Sequence, residues 1–122
     1  MFDQFKAMGA LAGLMKDKER LRELAEDFKL RLERLHVTGS SGGGAVCVTV
    51  NGHMMVTDVE LGPALASALG EGDSSREPAQ ELIREATNDA LERMRGLIQV
   101  EAQQMAEELG LPTIPGVSTL LN

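Results

Sequence analysis

The spacing of the apolar residues changes at Leu35, and this change constrains the fold more than any other feature of the sequence. Up to that point a large apolar side chain recurs at every seventh position, at Leu14, Leu21, Phe28 and Leu35. This repeat predicts an amphipathic helix from about Lys16 to Leu35, with a seam like that of a coiled coil. Beyond Leu35, apolar and polar residues alternate with the two-residue period of a β-strand.

Three short runs have this alternation and predict three strands. They span residues 35–38, 45–50 and 55–61. Asn51-Gly52 joins the last two runs and predicts a two-residue type I′ turn, which needs positive φ at both positions. Residues 39–44 are Gly-Ser-Ser-Gly-Gly-Gly and predict a flexible hairpin loop, without the lysine or the glycine spacing of a phosphate-binding loop. The expected sheet is an antiparallel meander.

A second long helix is predicted in the last third of the chain. Residues 63–69 favour one or two helical turns, and a polar linker follows them. Ser74 or Ser75 is the expected N-cap of the long helix, and Pro78 is tolerated in its first turn. The helical pattern then continues to about Leu109.

The predicted order is therefore α-β-β-β-α, which is an α+β fold. The chain has 122 residues, and a length of this size favours one domain. We expect that domain over residues 1–109. The prolines that follow predict a loosely docked tail over residues 110–122.

Charge is distributed unevenly along the chain. The 12 basic and 19 acidic residues give a net charge of −7, which weighs against nucleic-acid binding by the whole surface. Residues 1–34, however, hold eight of the basic residues and seven acids, whereas residues 35–122 are strongly acidic. Any anion-binding capacity is therefore expected at the amino-terminal end.

Seven cations of the first helical region are the candidate phosphate contacts. They are Lys16, Lys18, Arg20, Arg22, Lys29, Arg31 and Arg34. Helical spacing places Lys18, Arg22 and Lys29 on one flank of the apolar seam, and the other four near a second stripe. The alternative is that these cations form solvated ion pairs with the acids interleaved among them.

No group of residues has the spacing of a catalytic or metal site. His36, Cys47 and His53 lie in or beside strands and fit no zinc-binding pattern. We therefore expect no enzyme activity, no metal and no cofactor. Asn88 and Asp89 lie in the middle of a helix, where neither is favoured, and this predicts a local role such as hydrogen bonding to a loop or a partner.

The compartment is expected to be the cytoplasm. The single cysteine cannot form an internal disulfide. The early apolar run over residues 7–15 is too short to span a bilayer and follows no positively charged segment, so we expect neither a secretory signal nor a membrane partner.

The length of the second helix favours a homodimer. About 32 residues at ~1.5 Å each make a helix of roughly 48 Å, longer than a compact monomer of this size accommodates. A three-stranded sheet also leaves two open edges. The expected interface residues are Leu21, Phe28, Val46, Val48, Val50, Met94 and Ile98.

Several segments together resemble the YbaB/EbfC family of nucleoid-associated proteins. They are Leu-His-Val-Thr-Gly at 35–39, Val-Cys-Val-Thr-Val-Asn-Gly at 46–52, Val-Glu-Leu-Gly-Pro at 59–63, Ala-Thr-Asn-Asp-Ala at 86–90 and Gly-Leu-Pro at 110–112. The resemblance implies a cytoplasmic homodimer with tweezer-like helical arms and a non-enzymatic, DNA-binding role in the nucleoid. Thr87, Gly62 and Cys47 depart from the residues common in that family.

Two functions are thus open. The first is largely sequence-independent binding of double-stranded DNA by the first-helix cations of a homodimer. The alternative is a dimeric protein–protein interaction module, or adaptor, without significant DNA binding. Its partner surface would be the methionines Met94 and Met105 or the first-helix seam.

Overall fold

The computed structural model describes residues 9, 12–13 and 17–110. The α+β class and the order of helix, three strands and long helix are confirmed. The chain divides into two compact units, one made of residues 1–33 and 97–122 and the other of residues 34–96. The single domain over residues 1–109 stays a prediction, and residues 111–122 of the predicted tail lie outside the described residues.

Helix α1 spans Lys18–Glu33. Asp17 caps it, because an Oδ1 atom of Asp17 accepts the backbone N–H of Arg20 at 3.1 Å, three residues on. The first helical hydrogen bond runs from Leu21 N to the Asp17 carbonyl at 3.1 Å. Lys16, where the predicted helix begins, lies outside the described residues.

The three strands form one antiparallel sheet in the order β1-β2-β3, as the predicted meander requires. Their bounds are His36–Ser41 for β1, Val46–Asn51 for β2 and Val56–Leu61 for β3. Gly39 pairs with Val48, and Val48 pairs with Val59, so these three residues share one face of the sheet.

The predicted loop over residues 39–44 is wrong in its first half. Strand β1 continues through Gly39 to Ser41, and the turn occupies residues 42–45. The sequence composition of this segment is typical of a loop, but a helix packs closely on Gly39. An added Cβ there would lie 2.2 Å from the backbone N of Ala90 and 2.6 Å from the carbonyl O of Ala86. Glycine therefore permits this approach of helix to strand.

The hairpin between β2 and β3 is confirmed, but its predicted type I′ turn is wrong. Neither Asn51 nor Gly52 has positive φ; Met54 does, at 62°. The Oδ1 atom of Asn51 accepts the backbone N–H groups of His53 and Met55 at 3.0 and 3.1 Å. The Asn side chain thus supports a longer loop that ends in a left-handed residue.

The remaining helices lie close to their predicted positions. Helix α2 spans Pro63–Leu69, a 3-10 turn spans Asp73–Ser75, and helix α3 spans Arg76–Glu108. Gly110 follows α3 with a φ of 68°, which is typical of the residue after a helix end.

The core of the unit formed by residues 34–96 lies between the sheet and α3. The fully buried side chains on β2 are Val46, Val48 and Val50, and Ala86, Ala90 and Met94 of α3 are also fully buried. Alternate positions of β2 and positions four apart on α3 supply these residues, as strand and helix geometry require. Met94 is the largest side chain among them.

Candidate nucleic-acid interface

Lys18, Arg22 and Lys29 form a row on α1 that we call the cation stripe. They are separated by four and seven residues, about one and two helical turns, so they lie on the same flank of the helix. All three side chains are exposed. Within the described part of the chain, none of them forms an ion pair.

An acidic residue borders the stripe without neutralising it. Glu26 lies one turn from both Arg22 and Lys29, yet it forms no ion pair with either of them within residues 17–110. Lys18 and Lys29 are about 17 Å apart along the axis, at ~1.5 Å per residue. This length matches about ten backbone charges of duplex DNA.

Two further candidates are exposed and one is not described. Arg20 lies in the first turn of α1, and Arg34 follows its last residue; both side chains are exposed. Neither forms an ion pair in the ranges that the structure covers. Lys16 lies outside the described residues, so its side chain has no assigned position.

Arg31 has a different environment from the cation stripe, because its guanidinium contacts three carboxylates. We call Arg31 and these three side chains the Arg31 clamp. The Nε atom lies 3.1 Å from Asp27, Nη1 lies 3.6 Å from Glu101, and Nη2 donates to Glu108 at 2.7 Å. Glu101 and Glu108 belong to the end of α3, so the clamp joins α1 to that segment.

The clamp carries more negative than positive charge. One guanidinium faces three carboxylates, which leaves a net charge of −2. The hydrogen bond to Glu108 and the nearby carboxylate charges raise the pKa of Arg31, against an opposing effect of desolvation. The Arg31 side chain is 25% exposed. The three nitrogens of its guanidinium are thus already directed at protein oxygens.

Asp89 has the local hydrogen-bonding role that the sequence predicts. An Oδ2 atom of Asp89 accepts the backbone N–H of Ser40 at 3.1 Å, and the Nε of Arg93 lies 3.1 Å from the same atom. These contacts lower the pKa of Asp89, and the Ser40 hydrogen bond is the largest cause. Asn88 is exposed and forms no described hydrogen bond.

The face of the sheet opposite the core is polar. Thr38 and Thr49 share a hydroxyl hydrogen bond of 3.0 Å across β1 and β2, and Cys47 lies beside them, half-buried, opposite Glu60. Among the described residues, no three His, Cys, Asp or Glu side chains are grouped to hold a metal ion.

The predicted interface residues have unequal positions in the single chain. Leu21 is 40% exposed and Phe28 is half-buried, whereas Ile98 is only 8% exposed. The valines of β2 and Met94 are core residues of one chain. The methionine surface considered for a protein partner is wrong, because Met94 is fully buried and Met105 is only 9% exposed.

Sequence reasoning did not single out the exposed apolar residues of β3, or Met55, which immediately precedes that strand. Met55, Val56 and Val59 are 62%, 47% and 48% exposed. Val59 pairs with the buried Val48 and therefore continues the core face of the sheet. The alternation along β3 assigns Val59 to the core face of the sheet. It does not indicate how far α3 extends over that face.

A small α+β protein whose helix presents a row of exposed cations, with no ion pair to them among the described residues, belongs to a class for which polyanion binding is the first function to test. The chain belongs to the YbaB/EbfC DNA-binding family, whose model matches residues 8–109. A nucleoid-associated protein of Legionella pneumophila (strain Corby) is 31% identical over 103 residues, which cover 84% of this chain and 87% of that protein.

A second relative has a similar identity and coverage. Nucleoid-associated protein Pfl01_1806 of Pseudomonas fluorescens (strain Pf0-1) is 31% identical over 104 residues, 85% of this chain and 91% of its own length. Among the described residues, no helix is long and apolar enough to cross a membrane.

Proposed function

We propose that this protein binds double-stranded DNA in the nucleoid as a homodimer, without enzymatic activity and largely independently of sequence. Membership of a DNA-binding family supports DNA as the partner. The names of the relatives support the nucleoid as the location of this protein in the cell. The single observation that carries the proposed mechanism is the cation stripe, since its three exposed side chains form no ion pair with any residue that the structure describes.

The chemistry of the stripe favours contacts with phosphate over contacts with bases. Lys and Arg side chains on phosphates fix the position of a protein on a duplex but carry no sequence information. The chain has three Phe and no Trp or Tyr, and Phe28 is half-buried, so it offers little for stacking on bases. Weak, salt-sensitive binding follows from this arrangement.

The number of phosphates engaged sets the expected salt dependence. Two copies of the stripe supply six cations to a homodimer. If each cation engages one phosphate, the log–log slope of affinity against salt is about −5, and affinity falls roughly a thousandfold between about 50 and 200 mM salt.

The test is a salt series of binding to two duplexes of unrelated sequence. In the variant Lys18→Ala/Arg22→Ala/Lys29→Ala we expect the slope to flatten towards zero, because about 0.9 of slope is lost with each phosphate contact. The control Arg76→Ala/Arg84→Ala/Arg95→Ala removes the same charge from α3 and should keep most of the slope. An unchanged slope in the stripe variant would contradict the assignment, and absence of binding to either duplex at low salt would favour the adaptor function.

The homodimer is supported by the apolar side chains left exposed on a single chain. Met55, Val56 and Val59 surround the open edge of β3, where a second copy would remove them from water. Leu21 and Phe28 are candidates for further contacts. The buried valines of β2 would then pack behind the interface residues within their own chain and would not contact the partner.

A further inference from the structure

The Arg31 clamp lies on the same helix as the cation stripe but on the opposite flank. Arg31 follows Lys29 by two residues, which turns it about 200° around the axis of α1. Arg20 shares the flank of Arg31, since a separation of eleven positions makes about three full turns. On this shared flank Arg20 forms no ion pair within the described residues, whereas Arg31 contacts three carboxylates.

Carboxylate and phosphate compete for the same feature of an arginine. The planar guanidinium presents fixed N–H donors that match either anion, so one guanidinium does not serve both fully. In the clamp Nε, Nη1 and Nη2 of Arg31 are directed at Asp27, Glu101 and Glu108 respectively. A phosphate approaching this flank would also meet the excess negative charge of the clamp.

We propose that the Arg31 clamp is an autoinhibitory contact, in which Glu101 and Glu108 bind the guanidinium that would otherwise bind DNA phosphate. This inference rests on the proposed DNA binding and adds a regulation to it. Two of the three carboxylates come from α3, 70 or more positions away in the sequence, so the contact depends on how α3 ends against α1. DNA is thereby restricted to the flank that carries the cation stripe.

The acidic excess around the clamp strengthens this restriction of DNA to the cation stripe. The segments 17–33 and 97–110 together carry five basic and nine acidic residues. Binding therefore depends on where the cations lie rather than on their total. Releasing Arg31 would join it to Arg20 and add a second basic flank to the same helix.

The test is the variant Glu101→Gln/Glu108→Gln, which removes both charges of α3 from the clamp and nearly preserves side-chain shape. We expect DNA affinity at about 50 mM salt to rise about tenfold and the salt slope to steepen by about 0.9 per new phosphate contact. Adding Arg31→Gln to this variant should abolish the gain, because the released arginine is then absent.

The control is Glu92→Gln/Glu107→Gln, which removes two acids from the same helix outside the clamp. An equal gain in this control, or a gain that survives Arg31→Gln, would overturn the inference. Thermal unfolding followed by circular dichroism checks each variant. If the double variant is unfolded, Glu108→Gln alone, which removes the contact of 2.7 Å, should give part of the gain.

The outcomes for the two proposals are distinguishable. A wild-type protein that binds no duplex at low salt would refute the proposed function. A wild-type protein that binds DNA through the cation stripe, together with no gain on removing Glu101 and Glu108, would refute the autoinhibitory contact alone.

Discussion

Single residues in this chain have roles that their type alone does not indicate. Gly39 resembles a loop glycine in sequence but lies buried in β1, beneath Ala86 and Ala90. Met54 adopts a positive φ of 62°, a conformation that usually favours glycine or asparagine. At Gly39 the backbone of α3 leaves no room for a Cβ, and Met54 lies in the loop that the Asn51 side chain supports.

We expect Gly39→Ala to destabilise the fold by about 3 kcal/mol or more, at or above the upper end of typical overpacking costs. The added methyl group would meet backbone atoms of α3 at 2.2–2.7 Å, and backbone moves less easily than a side-chain end. Urea unfolding followed by circular dichroism measures this loss.

The control for this substitution is Gly96→Ala. Gly96 lies in α3 with no atom within 4 Å of the position an added Cβ would take. Alanine is the better helix former there, so this variant should gain about 0.5–1 kcal/mol. A loss below about 0.5 kcal/mol in Gly39→Ala, within the usual range for surface substitutions, would show that the helix can move away from the strand.

At the scale of elements, β1 and α3 are joined through three consecutive residues. Gly39 allows the close approach, the backbone N–H of Ser40 binds Asp89, and the Ser41 hydroxyl donates to the carbonyl of Leu82. Since β1 pairs only with β2 in the described sheet, Asp89 satisfies a backbone group on the open edge of that strand.

The pH dependence of stability should report this junction. The pKa of Asp89 is lower in the folded protein than the ordinary aspartate value of about 3.9. The stabilisation is therefore fully present above that value and is lost as the pH falls through the folded pKa below it. We expect wild-type stability to decrease more steeply between about pH 5 and pH 3 than that of Asp89→Asn.

Asp89→Asn is informative because the Asn side-chain oxygen still accepts a hydrogen bond from Ser40 but does not titrate. Asp89→Ala removes the acceptor as well and should be less stable than Asp89→Asn at pH 7. Denaturant unfolding across the pH range makes both comparisons. Equal pH slopes for wild type and Asp89→Asn would argue that Asp89 does not govern acid stability.

At the scale of the whole molecule, the distribution of apolar surface favours more than one chain. The exposed apolar residues of β3 continue the buried face of the sheet. Leu97 and Val100 of α3 are also exposed, at 38% and 50%. Exposed apolar residues of both kinds are candidates for contact with a second copy.

We expect light scattering at micromolar concentration to give about twice the chain mass of 13.1 kDa. Val56→Asp/Val59→Asp should shift the protein to monomer, because the interface would then bury two charges without partners. Leu97→Asp/Val100→Asp introduces the same charge on α3 and should leave the dimer intact.

Dissociation by the α3 variant instead would place the interface on the helices. A mass of about 13 kDa for the wild type would rule out the homodimer. In that case only three stripe cations would remain per particle, and the expected salt slope would fall to about −2.7.

The order of elements was predictable from the sequence because helix and strand periodicities are local. Leu21 and Phe28 repeat on a helix, Val46 and Val48 alternate on a strand, and the change at Leu35 separates the two patterns. The turn type at Asn51 was not predictable in the same way. A side-chain oxygen that binds two backbone N–H groups stabilises a longer loop than the dipeptide Asn-Gly indicates.

The sequence by itself determined which helix carries the cations and on which flank each of them lies, since spacing along a helix sets direction around its axis. The tertiary structure decided which cations remain available. Arg31 and Lys29 are two residues apart and similar in charge, yet Arg31 meets Glu101 and Glu108 while Lys29 meets no described anion. The physical reason is that an ion pair depends on the distance between groups in space, and here folding brings together side chains 70 and 77 positions apart.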